Sequence, residues 1–238
     1  VGSIKEIMRE KKAPGLFHCD AVQSFGKMPL PQDADLISVS GHKIYGPKGS
    51  GALLIRNGRS PAGRIIDVPP LILGGGQEGG SRSGTENVAA IAGLGRAAEI
   101  IQADRKKEMQ RLGNLRGLLK ERLEEGLDDI AVNSPDAVGQ EAGMCCPVLL
   151  NVMFGGTRAE VLLHTLEQDR IYVSTGSACA SNKKSQSHVL KAMGLTDREI
   201  EGTIRFSLGR CNTEEDIETA AARTIAAVKR FRKLGSFR

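Results

Sequence analysis

Tryptophan is absent from this 238-residue chain, and tyrosine and phenylalanine contribute only two and six residues. With so few rings, and no basic stretch interleaved with them, the chain has little with which to stack bases. No nucleic-acid partner is expected. No apolar run approaches the ~20 residues of a membrane-spanning helix. A signal-peptide pattern is also missing. No membrane partner is therefore expected. The five cysteines (Cys19, Cys145, Cys146, Cys179, Cys211) are odd in number and lack the spacing of a disulfide scaffold. They read as thiols in a reducing, cytoplasmic setting. Initiator methionine is lacking too, since the chain opens at Val1, and a fragment or processed product is the expectation.

Hydrophobic residues make up 40% and charged residues 26%, enough for a real core in one large domain or two modest ones. The formal charge of +5 is a modest excess. Short strands are expected at residues 16–20, 34–40 and 51–56, all buried. A helix should begin near Thr85, and a second, amphipathic one should run over 104–127. Met109, Leu112, Leu115, Leu119 and Leu123 give that second helix its apolar stripe. Its charged opening, "ADRKKE", is the expected domain boundary. Beyond it come strand "VLLNVMF", helix "RAEVLLHTLEQDR", strand "IYVST", helix "SHVLKAMGL", strand "IRFSLG" and a last helix. Thr213 and Asp216 make a capping-box start for that last helix. The alternation argues for an α/β fold.

Chemistry gathers at a few places. In "ISVSGHKIYGPKG", Lys43 stands just past a strand, between glycines that set a rigid turn and allow close approach. An amine held in that way can serve as a nucleophile, whereas a free loop lysine cannot. Ser40 and His42 flank it with donors suited to a phosphate. Asp20 ends the strand before, where open α/β sheets collect ligands, with Gln23 three residues on. Taken alone, Asp20 serves equally as a turn or helix-cap residue. The run "GGGQEG" at 74–79 formally matches a dinucleotide fingerprint, but no ribose-binding acid follows at the right distance. It reads better as a loop ending at Thr85, whose hydroxyl and helix N-terminus suit a phosphate.

Cys179 sits in "STGSACASNKKS", among small polar residues with Lys183 and Lys184 close behind, a setting that favours an exposed thiolate. Cys19 and Cys211 read as core residues. Cys145 and Cys146 are adjacent without a second pair, which argues against zinc. Arg205, in "TIRFSLGR", can grip a carboxylate with two parallel bonds or can simply be a surface strand arginine. His18, His164 and His188 have no metal-like spacing and read as structural or surface groups.

Together, "HCDAVQSFGK", "SGHKIYGPKG", "GGGQEGGSRSGT", "STGSACAS" and "IRFSLGR" resemble the cysteine desulfurases of the class V aminotransferase group, and in particular the branch serving iron–sulfur cluster assembly. The resemblance implies a fold-type I pyridoxal phosphate transferase. Residues 1–104 would be the C-terminal part of its large cofactor-binding domain, and 105–238 the small C-terminal domain carrying the cysteine loop. The family's N-terminal portion would be missing. Pyridoxal 5'-phosphate would be the cofactor, held by Lys43 as a Schiff base. Asp20 would pair with the ring nitrogen, Gln23 with the ring hydroxyl, and Ser40 and His42 with the phosphate. His42 counts with Lys43 in the catalytic set too. Thr85 would reach the phosphate of a neighbouring subunit in a homodimer, and Arg205 would bind the substrate carboxylate. Cys179 would attack the sulfur of L-cysteine, leaving L-alanine and a persulfide for an acidic or cysteine-bearing acceptor such as an iron–sulfur scaffold protein. Selenocysteine lyase activity, an aminotransferase-like lyase, and a non-catalytic truncated scaffold or binding fragment are the alternatives. "MCCP" at 144–147 looks like an insertion with no functional account.

Overall fold

A computed structural model describes residues 2–56, 66, 68–135, 146–175 and 187–235. The chain separates into two compact units, Val1–Arg105 and Lys106–Arg238. In the first, helix α1 (Gly2–Glu10) precedes strands β1 (His18–Asp20), β2 (Leu36–Ser40) and β3 (Gly51–Ile55). β1 and β2 run parallel with Asp20 opposite Ser38, and β3 returns antiparallel with Gly51 opposite Ser40.

The starts of β1 and β2 are tied together by one side chain. Asp35 Oδ2 accepts from Lys5 Nζ at 2.5 Å and from the Phe17 N–H at 2.8 Å. The backbone adds Asp35 N–H to Phe17 O at 2.8 Å and Arg56 N–H to Asp35 O at 3.0 Å. Both Lys5 (4% exposed) and Asp35 (1%) are buried. Burial raises the Asp35 pKa, but the bond from Lys5, the Phe17 N–H and the charges of Lys5 and Arg56 outweigh it and hold the carboxyl below its ordinary 3.8.

β1 and β3 depart from the expected buried strands, β1 with His18 and Asp20 exposed. β3 lies at the edge of the described sheet, so successive side chains on opposite faces, Leu53 and Leu54, are 47% and 43% exposed. The two expected helices are one, α2 (Val88–Gly126), of 39 residues. "ADRKKE" contains only tolerant or good helix formers and nothing that breaks the ladder, so the helix runs on through it, and the division between the two units, at Arg105 and Lys106, falls within it.

In the second unit, β4 (Ile130–Val132), β5 (Leu149–Phe154) and β6 (Thr203–Ser207) form an antiparallel sheet, so the strand–helix alternation here does not produce parallel units. Leu150, Val152 and Phe154 alternate along β5 and point into the core. They meet Leu112, Leu115, Leu119 and Leu123 of α2, together with α3 (Ala159–Gln168) and α6 (Glu214–Lys233). Both α5 (Asp197–Glu201), which follows α4 (His188–Ala192), and α6 begin with a full capping box, Thr196 with Glu199 and Thr213 with Asp216. The expected strand at 171–175 is reduced to a single bridge, Ser174 to Arg205.

Candidate active site

Four of the proposed residues lie at one end of the first unit's parallel strand pair. Asp20 is the last residue of β1 and Ser40 the last of β2. His42 and Lys43 occupy the 3₁₀ turn Gly41–Ile44 that follows at once. The turn is held firmly. The Gly41 N–H donates to Ser50 O at 2.9 Å, and the Gly46 N–H returns to Gly41 O at 2.9 Å. A Cβ on Gly41 would fall 2.5 Å from Ser50 Oγ and 3.0 Å from Pro47 O, so a side chain here would have to displace the Ser50 hydroxyl and crowd the Pro47 carbonyl. The close approach expected at Gly41 is thus made by the chain's own Pro47–Ser50 loop. Ile44, fully buried against Ala97 and Ile101 of α2, anchors the far side of the turn.

Lys43 is therefore half-buried between an exposed His42 and a buried Ile44. Among the described residues no carboxylate pairs with it. Ser40 Oγ and His42 Nδ1 share a hydrogen bond of 2.8 Å. Asp20 is exposed, and its Oδ1 accepts the Val22 N–H at 2.9 Å, an Asx turn that fixes the carboxylate and leaves Oδ2 open. Gln23 is exposed in the following turn, where its backbone carbonyl accepts from Lys27 Nζ at 3.1 Å.

The other assignments fare differently. Thr85 is exposed but stands ahead of the helix rather than at its start. α2 opens at Val88, and Asn87 Oδ1 caps it by accepting the Ala90 N–H at 3.1 Å, as the better capping residue should. Arg205 belongs to the second unit, half-buried on β6, with its Nε donating to Ser207 Oγ at 3.2 Å. Cys179, Lys183, Lys184 and Cys145 lie outside the described residues. Cys211 is exposed, in the turn before α6 where no core exists to receive it, and Cys19 is half-buried. His164 and His188 lie on the surface, the former 3.0 Å from Glu167. A contact that sequence spacing did not point to joins the strands: His18 Nε2 and Ser38 Oγ share a hydrogen bond of 2.7 Å. Its only trace in the sequence is that His18 sits two residues before Asp20, on the same face of β1.

The second unit holds a cavity of about 290 Å³ between the turn before α3 and α5, and no residue of the candidate set lines it. Among the described residues, no group of three His, Cys, Asp or Glu is placed to hold a metal ion, and no helix is long and apolar enough to cross a membrane.

The family model for class-V aminotransferases matches residues 1–219. The chain belongs to the class-V aminotransferase family. Curated family members similar to it include the cysteine desulfurase IscS of Clostridium botulinum, 41% identical over 221 residues, 92% of this chain and 52% of that protein. The cysteine desulfurase IscS of an Anaeromyxobacter species is 42% identical over 238 residues, 98% of this chain and 56% of that protein. Among solved structures, a NifS-like protein superposes with a TM-score of 0.79 at 34% identity, over 95% of this chain and 56% of its own. The NifS-like protein of Rickettsia africae gives 0.73 at 31% identity, over 97% and 57%. The chain spans about half the length of the curated relatives it matches.

The donor set suits the cofactor expected for a class-V aminotransferase fold. An aldehyde needs an amine, a pyridine nitrogen needs an acid, and a phosphate needs donors. Lys43, Asp20, and Ser40 with His42 supply these at one sheet end.

Proposed function

We propose that the protein carrying this chain is a cysteine desulfurase. It takes sulfur from L-cysteine, releases L-alanine, and holds the sulfur as a persulfide on Cys179 for an acceptor serving iron–sulfur cluster assembly. The observation that carries this reading is the placement of Lys43 directly after β2, beside the strand that ends in Asp20, in a chain 41% identical to proteins of that name.

Each residue has a distinct task. Lys43 anchors the cofactor aldehyde and moves protons at the substrate Cα. Asp20 keeps a proton on the ring nitrogen, and Gln23 orients the ring hydroxyl. Ser40 and His42 hold the phosphate, and Thr85 reaches the phosphate of the second subunit in a homodimer. Bound pyridoxal phosphate supplies the electron sink that makes the substrate Cβ–Sγ bond labile. Arg205 grips the substrate carboxylate through two bonds. Cys179, as thiolate, attacks the substrate sulfur. An S–S bond forms, the Cβ–Sγ bond breaks, and its electron pair stays on the carbon that a proton converts to the methyl group of alanine.

The test uses the full-length protein with its cofactor and L-cysteine. Alanine should appear, and mass spectrometry should find one added sulfur on the peptide containing Cys179. Cys179→Ser should keep the cofactor colour yet lose both persulfide and sulfide release, because an alcohol is a poor nucleophile toward sulfur. Persulfide on Cys145 or Cys146 instead would overturn the role given to Cys179.

A further inference from the structure

The acid at the end of β1 has to be aimed, and β1 is only three residues long. So short a strand contributes few ladder bonds, and its last residue is exposed. Ser38, directly opposite Asp20 in the parallel register, supplies what the ladder does not. Its carbonyl accepts the Ala21 N–H at 2.9 Å, and its hydroxyl bonds His18 Nε2 at 2.7 Å. Ser38 thereby grips β1 on both sides of Asp20, one residue after it and two residues before it. The backbone arm is ordinary sheet. The side-chain arm exists only because residue 18 is a histidine long enough to cross from one strand to the next.

His18, Asp20, Ser38 and Ser40 share one face of the sheet, since residues two apart on a strand point the same way. On that face β3 brings Gly51, Leu53 and Ile55, opposite Ser40, Ser38 and Leu36, none of them charged. Asp20 is the other titratable residue of that face on β1, and His42 and Lys43 follow past the end of β2. No described carboxylate bonds His18, so its partner is the Ser38 hydroxyl alone.

We propose that His18 is a positioning residue for the cofactor site: through Ser38 it fixes the aim of the Asp20 carboxylate at the ring nitrogen. This rests on the desulfurase reading, in which Asp20 meets that nitrogen. With Oδ1 turned to the Val22 N–H, Oδ2 is the oxygen with no partner among the described residues, and its direction follows the backbone of β1. Loosening the clamp lets that direction wander while the core of the unit, built on Ile44, Ala97 and Ile101, is untouched.

The experiment measures the dissociation constant and visible absorption spectrum of pyridoxal phosphate on full-length protein, wild type and variants, beside urea unfolding of the apoprotein. His18→Leu should weaken cofactor binding by about two- to twelvefold, the span of one net intramolecular hydrogen bond. It should also move the absorption maximum in the same direction as Asp20→Asn, while any fall in the apoprotein's stability stays within that of one exposed hydrogen bond. Ser38→Ala should reproduce this, and the double variant should be no worse than either single one, as two ends of a single bond require. His18→Gln, which still reaches the hydroxyl, should lie closer to wild type than His18→Leu. An unchanged spectrum and affinity in His18→Leu would overturn the proposal, as would a lowered unfolding midpoint with a wild-type spectrum. Failure of the underlying reading looks different: wild-type protein would then bind no cofactor, or Asp20→Asn would leave the spectrum unaltered.

Discussion

Replacing Lys5 by methionine strips the buried Asp35 carboxylate of its cation, and the consequences can be worked out from the two hydrogen bonds at Oδ2. Lys5 Nζ lies at 2.5 Å and the Phe17 N–H at 2.8 Å, while Oδ1 is buried with no partner among the described residues. After the substitution one N–H is left to solvate a carboxylate that water cannot reach. Removing one member of such a pair costs about 3–5 kcal/mol, because the survivor stays charged and buried. Asp35→Asn should cost a similar amount, since it leaves the Lys5 ammonium in place. The double variant Lys5→Met/Asp35→Leu should recover part of the loss, as apolar groups of similar volume often replace a buried pair without penalty, while the Phe17 N–H loses its acceptor. Urea unfolding of the full-length protein at neutral pH measures all three. Acid supplies a second check. The folded-state pKa of Asp35 is depressed, so its contribution is present above the ordinary 3.8 and is lost as pH falls below that value and through the lowered one. The gap between wild type and Asp35→Asn should close over that same interval. A loss below about 1 kcal/mol for Lys5→Met, the range of an exposed pair, would refute the reasoning.

Arg205→Lys keeps the charge but not the planar fork, so KM for L-cysteine should rise by the equivalent of about 1.5–3 kcal/mol with a normal cofactor spectrum. Unchanged kcat and KM would make Arg205 only a strand residue bonded to Ser207. Gly51→Ala would place a Cβ 2.7 Å from Val39 O, a backbone atom that cannot step aside cheaply. It should therefore destabilise by about 1–3 kcal/mol in urea unfolding, the cost of forced overpacking, and a neutral result would mean that β2 and β3 can part without loss.

How much of this was readable in the sequence depends on how local the cause is. β2 announced itself through the short run "LISVS" before a glycine turn, β5 through the apolar run "VLLNVMF", and α6 through Thr213 and Asp216. The second half of α2 did so through leucines at helical spacing. Its first half was read as a separate helix because the charged run "ADRKKE" interrupts the apolar pattern, though nothing in that run breaks a helix. β4 is three residues long, too short to show a period. α5 carried its signal in "TDRE", a capping box before a helix of only five residues. The segment at 171–175 has strand composition, but pairing needs a neighbour, and among the described residues it finds one only at Arg205. The site divides in the same way. Asp20, Ser40, His42 and Lys43 follow from strand ends and a glycine turn, all within a few residues. The His18–Ser38 bond depends on the register between two strands, which no local pattern states.

Lys43 as the cofactor's anchor is tested by borohydride reduction of the full-length protein loaded with pyridoxal phosphate, followed by peptide mass spectrometry. A pyridoxyl group is expected on the peptide bearing Lys43, lost in Lys43→Ala and kept in Lys48→Ala. A pyridoxyl group on Lys48, or on any other lysine with Lys43 unmodified, would contradict it.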